Sequence, residues 1–420
     1  MKIKSVLFSV VFFVCIINSF GSETHYVNTN SVNPVSPYTN WATASTNIQM
    51  AIDSVNYFAT NDIIIIDDGT YSPFIVDSDL DSKLEVIKSV NGASSVIVDA
   101  QGLSRCATVN FTQVTLNGLT FRNGSMIVGD SRGGDGGCVY LYYGGHLNNC
   151  IIEGGYADGY AGGVMVYQHE AVIVNCTIVN NSSRWGYSGI WSIGQIPSVY
   201  NTIIYFNTPN DIAINNGYFW SCAISQIPSV GFNCITLDPL FISNSDYRLQ
   251  SNSPCIDSGT NALYSFFDMD NIPRPLDGNS DGVCGSDIGA SEYVNYSTDS
   301  DNDGMIDGWE VSNNLNAVLD DSYIDSDGDR HSNINEYIAG TNPQDINDVL
   351  KFNSISSMSD IIYLAFNSKL NRTYGIVYTT DMVKTNWASL TNGVIGSDLE
   401  IVIEDVKATN RFYMLFVTHN

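Results

Sequence analysis

A block of residues recurs through the middle of this chain and limits the fold more than any other feature. The segments HLNNCIIEGG (146–155), VIVNCTIVNN (172–181) and SVYNTIIYFN (198–207) align without gaps at a spacing of 26 residues. TLNGLTFRNG (115–124) joins them upstream, so that Leu119, Cys150, Cys176 and Thr202 share a column. A second column, Gly137, Gly163 and Gly189, precedes CVYLYY, VMVYQH and IWSIGQ at the same spacing. Short β-rich runs broken by Gly and Asn at a period in the twenties imply a solenoid, whose rungs bury their apolar sides only by stacking. Residues 96–98 and 107–109 read as earlier strands of the same kind. Asn149, Asn175 and Asn201 precede their strands and are expected to hydrogen-bond along the stack, as ladders of Asn do elsewhere. Cys150 and Cys176 fall one rung apart, about 4.8 Å, which favours stacked thiols over a bond.

A solenoid needs covered ends. Ile48, Ala51, Ile52 and Val55 have the spacing of one helix face, with Thr46 and Gln49 placed for a capping box. This helix is expected to cover the first rung. DIIIIDDGTYS (62–72) reads as a buried strand and turn.

The chain has 420 residues and a formal charge of −27. Lys2 and Lys4, an apolar run from Val6 to Ile17 and then Ser19-Phe20-Gly21 predict a secretory signal peptide over 1–21. No later stretch is long and apolar enough to span a bilayer, so membrane insertion is not expected. The acidic balance argues against nucleic acid as a partner. Thirteen acids and one base, Arg330, lie between 299 and 350, a density that requires neutralising cations. Eight cysteines follow the leader, an even number for an oxidising compartment. Cys222 with Cys234 and Cys255 with Cys284 are the expected disulfides.

HYVNTN, NWATASTNIQMAIDSV and NDIIIIDDGTY resemble the opening of secreted bacterial right-handed parallel β-helix proteins of the pectin-lyase-like superfamily. LDPLFISNSDYRLQSNSPCIDSGTNA (237–262), DMDNIPRP (268–275) and SDIGASEY (286–293) resemble the closing segment called choice-of-anchor Q in such proteins. The resemblance covers 25–293 and implies a fold and an extracellular setting rather than a reaction.

DSDNDGMIDGWE (299–310) has the spacing of a calcium loop. Asp299, Asp301 and Asp303 take positions 1, 3 and 5. Gly304 takes the turn, Met305 offers a carbonyl, Asp307 lies at position 9 and Glu310 closes the loop. DSDGDRHSNINE (325–336) repeats the scheme with Asp325, Asp327, Asp329, His331, Asn333 and Glu336, but Arg330 replaces the turn glycine. Hard oxygen ligands at this density suit Ca2+. SEYVNYST before the first loop has no helical face, so only exiting helices are expected. That half-helix pattern resembles thrombospondin type 3 or dockerin-like repeats over 298–343, and implies a calcium-stiffened spacer rather than a sensor. DGNSDG (277–282) is too short to count as a third site.

The alternating runs DIIYLAF, TYGIVYTTD, LEIVIED and RFYMLFV predict a small C-terminal β-sandwich. The expected organisation is a leader over 1–21, a β-helix over 22–294, a spacer over 295–345 and a sandwich over 346–420, within an all-β chain. Arg122 and Glu153 share a column on adjacent rungs, and His169, Glu170 and Arg184 add polar groups. These five are the candidates for catalysis. An ion pair between Arg122 and Glu153 is the plainer expectation. The expected function is a secreted or cell-surface protein, monomeric, that binds or adheres to a polysaccharide or cell-surface glycan. The alternative is a polysaccharide lyase or glycoside hydrolase acting in a β-helix groove. A flat face of Tyr and Asn would favour binding, and a converging Arg/His/Glu set would favour the lyase.

Overall fold

A computed structural model describes residues 22–56, 60–77, 80, 83–110, 113–127, 134–213, 217–261, 266–383, 386–406 and 411–419. The expected leader lies outside these residues. The chain forms two compact units. The first comprises residues up to Leu249, with Ser253–Asn271 and Ile288–Ser291; the second comprises Gln250–Asn252, Ile272–Asp287 and Glu292–Asn420. Among the described residues no helix is long and apolar enough to cross a membrane.

The first unit is a parallel β-helix. A nine-stranded sheet runs from Thr24–Val27 through Thr115–Asn117, His146–Asn148, Val172–Val174 and Ser198–Tyr200 to Gly231–Phe232. A seven-stranded sheet contains Thr120–Arg122, Ile151–Glu153, Thr177–Val179 and Ile203–Tyr205. A five-stranded sheet contains Phe74–Val76, Ala107–Asn110, Val139–Tyr142, Val164–Tyr167 and Ile190–Ile193. Every pairing between these rungs is parallel, with Ile151 opposite Thr177 and Thr177 opposite Ile203. The apolar residues that alternate inward, such as Leu116, Phe121, Leu147, Ile152, Ile173, Ile178 and Val199, make one continuous buried core.

The glycine column shifts by one residue. Val139 pairs with Val164, so Gly137 lies against Gly162 rather than Gly163, whereas Gly163 and Gly189 do align. A Cβ on Gly163 would sit 2.6 Å from the Gly189 carbonyl oxygen. At this corner the stacked backbones leave no room for a side chain.

The asparagine expectation is right in kind and wrong in place. Asn149, Asn175 and Asn201 adopt φ of 50°, 49° and 45°, so they make the left-handed corner between two strands. Their side chains do not bond to one another. Asn149 Nδ2 donates to Phe267 O, and Asn201 Nδ2 donates to Thr260 O. The ladder stands one corner later. Asn181 Nδ2 donates to Asn207 Oδ1 at 2.9 Å, and Asn207 Nδ2 donates to Asp211 Oδ1 at 2.8 Å. Asn181 Oδ1 accepts from Gly155 N one rung earlier.

The helix Ile48–Ile52 buries Ile48, Ala51 and Ile52 against the core of the first rungs. Its cap is Asn47, whose side chain accepts from Met50 N, and not Thr46. Gln49 does not reach back to the cap. Its amide pairs with both the N–H and the carbonyl of Ile75. All eight described cysteines are thiols, so neither expected disulfide is made, and Cys150 and Cys176 are stacked thiols in the core.

The closing segment covers the outward face of the seven-stranded sheet. Phe241, Tyr247, Met269 and Ala290 pack on Ile151 and Val179, and Ala290 N donates to Thr177 Oγ1.

The second unit carries two short helices, Asp307–Ser312 and Asn333–Ala339, and two three-stranded antiparallel sheets. One sheet is Phe352–Met358, Ile361–Asn367 and Glu400–Val406; the other is Ala388–Ile395, Arg372–Thr379 and Phe412–His419. Leu364, Phe366, Tyr374 and Ile376 form the core between them. Four strands follow the alternating runs in the sequence. Phe352–Met358 and Ala388–Ile395 are edge strands whose sequences, FNSISSM and ASLTNGVI, are too polar to announce themselves.

Candidate functional site

The acidic module is two copies of one turn. In the first, Asp299 Oδ1 and Oδ2 accept from Asp303 N and Gly304 N, and Asp303 Oδ1 accepts from Met305 N. In the second, Asp325 Oδ2 accepts from Arg330 N, and Asp329 Oδ1 accepts from His331 N. Gly304 has φ of 98° and Arg330 of 83°, so Arg330 holds the conformation normally left to glycine. Each loop feeds a short helix, and among the described residues no helix enters either loop. The second helix ends on Gly340 at φ of 75°.

The turns gather carboxylates. Ligand atoms of Asp299, Asp301 and Asp303 lie within 4.8 Å of one another, as do those of Asp303, Glu310 and Asp321, and those of Asp325, Asp327 and Asp329. Several oxygens are buried without any hydrogen-bond partner: Asp301 Oδ2, Asp303 Oδ2 and both oxygens of Glu310 in the first group. Asp327 Oδ2, Asp329 Oδ2 and Glu336 Oε2 are the equivalents in the second. Unpaired buried acceptors cost about 1–3 kcal/mol each, more when charged, and here they converge. Burial, then the neighbouring Asp301 and Asp303 carboxylates, push Glu310 up to about 9. Burial, then Asp303, lifts Asp301 to about 7, and burial, then Asp329, lifts Glu336 to about 7. The clusters can hold metal ions.

Two expected positions are turned away. Asp307 is fully buried, but its oxygens accept from Thr298 Oγ1, Ser300 N and Ser300 Oγ. Its counterpart Asn333 accepts from Ser326 Oγ and donates to Asp321. Both brace the start of an exiting helix. In the first cluster the additional carboxylate comes instead from Asp321, eleven residues beyond Glu310 and outside the loop pattern. The segment 277–282 repeats the turn, with Asp277 accepting from Asp281 N and Gly282 N. It has no closing acid.

The five catalytic candidates do not converge. Arg122 and Glu153 are in-register neighbours, as aligned, yet the expected ion pair is not made. Arg122 Nε donates to Asp99 Oδ2 at 2.8 Å, and Glu153 Oε2 accepts the Tyr247 hydroxyl. His169, Glu170 and Arg184 are exposed. Among the described residues, one arrangement mimics a nucleophile and base. Ser54 Oγ lies 3.3 Å from His25 Nδ1, and His25 Nε2 lies 3.1 Å from Asp62 Oδ2. Pro37 O is closer to Nδ1, at 2.6 Å, and can only accept. The ring therefore donates there, and the Ser54 hydroxyl donates to Ala51 O. The group ties the first strand to the next rung.

The outward faces of the β-helix carry aromatic columns. On the five-stranded sheet Tyr142 stacks on Tyr167 at 5.0 Å. Beside them Tyr160 and Tyr187 stack on Trp191 at 4.7 and 5.1 Å, and Trp185, 61% exposed, meets Tyr160 edge-on. The buried Arg105 guanidinium supports this face from Tyr140, 4.6 Å from the ring centroid. On the nine-stranded sheet a groove of about 450 Å³ is lined by Val86, Thr115, Asn117, His146, Asn148 and Val172. Val172 N donates to His146 Nδ1, which leaves Nε2 as the ring's donor. Further along the same face Tyr200 stacks on Trp220 at 4.7 Å and Trp220 on Phe232 at 6.5 Å. No protein-family model and no curated protein matches this chain.

Proposed function

We propose that this is a secreted or cell-surface protein whose β-helix binds a polysaccharide or cell-surface glycan, and whose acidic module holds Ca2+. The observation that carries the glycan reading is the stacked column Tyr160, Tyr187 and Trp191 with exposed Trp185 on one sheet face. Aromatic rings present flat apolar surface with polar edges, which suits the alternating CH and OH surfaces of a sugar. The chain offers only five bases between 101 and 250, a poor match for a polyanion, so the favoured ligand is a neutral glycan. The leader expected over 1–21 supports the extracellular setting. Oxygen-only ligands at turn spacing support calcium over a transition metal.

The test is retention of the mature full chain on a panel of neutral and anionic polysaccharides, with absorbance of unsaturated products and reducing ends read in parallel. Retention by neutral glycans without product is the expected result. Product formation would overturn the binding reading in favour of a lyase or hydrolase. Absence of both signals would overturn the glycan reading itself. Calcium titration by calorimetry tests the module separately, and absence of binding would overturn the calcium assignment.

A further inference from the structure

We infer that Asp321 is a ligand of the first cation and couples its occupancy to the second loop. The inference rests on the calcium reading above. Glu310 is fully buried, with both carboxylate oxygens unpartnered, and its ligand atom lies within 4.8 Å of those of Asp303 and Asp321. A carboxylate so placed faces like charge on every side unless a cation sits among them. The loop's ninth residue is not part of this set: the gathered ligand atoms include Asp321 and not Asp307, whose Oδ2 accepts from both the Thr298 and the Ser300 hydroxyl.

Asp321 also belongs to the second loop. Its backbone carbonyl and Oδ1 accept from Asn333 Nδ2 at 3.0 and 3.2 Å, and Asn333 N donates to Ile324 O. Asn333 is fully buried and begins the second exiting helix. The Asp321 carboxylate thus faces the first cation on one side and fixes the second loop's helix on the other. Drawing Asp321 inward onto a cation sets the position of Asn333 before the second cation arrives. Differential contact of this kind is what coupling between sites requires.

The second loop repeats the device with a different partner. Asn316 N donates to Asp321 Oδ2, and Asn342 N donates to Asp348 Oδ2. Asp348 is therefore the structural counterpart of Asp321. It pairs with Lys369 Nζ at 2.9 Å instead of closing on a carboxylate cluster. The first site thereby gathers five carboxylates and the second lacks its outer acid, so the first is the tighter.

The experiment is calorimetric Ca2+ titration of the mature full chain and of Asp321→Asn, Asp307→Asn and Asn333→Ala, with circular dichroism to verify folding. The expected result is two unequal steps in the parent. Asp321→Asn should weaken the tighter step at least about tenfold, while Asp307→Asn should change it less than about threefold. Asn333→Ala keeps the carboxylate and should leave the tighter step in place while making the two steps independent. A parent that binds calcium, with Asp321→Asn unchanged and Asp307→Asn weakened, would overturn the inference and leave the calcium reading standing. Coupling that survives Asn333→Ala would overturn the link between loops. A parent that binds no calcium would remove the premise.

Discussion

The Tyr247 hydroxyl donates to Glu153 Oε2 across 94 residues of sequence, so the carboxylate that looked most like a catalytic group on a rung is held by the closing segment. Tyr247 is 6% exposed and also receives a hydrogen bond from Asn180 Nδ2. Tyr247→Phe keeps the ring and removes the donor. It should lower β-helix stability by about 1–2 kcal/mol in urea unfolding and leave glycan retention unchanged.

Chelation should lower the unfolding temperature of the second unit while leaving that of the β-helix in place, read by scanning calorimetry with and without EDTA. The pH dependence follows from Glu310, raised to about 9, and Asp301 and Glu336, raised to about 7. In the metal-free protein these groups hold protons that the unfolded chain, at about 4, has released. Their contribution to the metal-free unit is then fully present below about pH 4 and is lost as pH rises from there through the raised values, about 7 for Asp301 and Glu336 and about 9 for Glu310. With saturating Ca2+ the ionised forms are the ones bound, and stability should instead fall as pH drops.

Asn207 accepts from Asn181 N and Asn181 Nδ2 and donates to Ile178 O, all in the interior. Asn207→Ala orphans these groups and should cost about 3 kcal/mol in urea unfolding. Asn175 serves only the left-handed corner, and Asn175→Gly should change stability by less than about 0.5 kcal/mol. Equal effects at the two positions would show that the ladder is misplaced.

Trp185 is exposed and belongs to no core cluster. Trp185→Ala should leave thermal unfolding unchanged and weaken glycan retention about tenfold, or about 1.4 kcal/mol, measured by affinity electrophoresis.

The rungs were legible because their register is written as a repeat. The columns through Cys150, Cys176 and Thr202 and through Arg122 and Glu153 became in-register neighbours. The Gly137 column failed by one residue because the step from Val139 to Val164 is shorter than the step from Val164 to Ile190. A corner can absorb that difference without leaving a mark on any single strand. Spacing alone located the gathered acids Asp299, Asp301, Asp303 and Glu310, and Asp325, Asp327 and Asp329, but it did not point to Asp321. Spacing gives the order of residues along a turn, whereas the hydroxyls of Thr298 and Ser300 hold Asp307 in another network and the chain brings Asp321 to the cluster from outside the loop. On the five-stranded sheet Tyr142 and Tyr167 follow the rung register, but the neighbouring column had no period to find. Tyr160, Tyr187 and Trp191 reach one face from a loop and a strand.

The return of the chain over the corner asparagines changes how this unit should come apart. Stacked repeats ordinarily communicate only with their immediate neighbours, and their ends fray first. Here Thr260 is bonded to Asn201, Phe267 to Asn149 and Met269 to Ala93, so three positions close in sequence hold rungs far apart in the stack. Loosening a terminal rung pulls on the middle ones. The β-helix should therefore melt as one cooperative body, with amide exchange slow even in its end strands, where an untied solenoid would show a gradient.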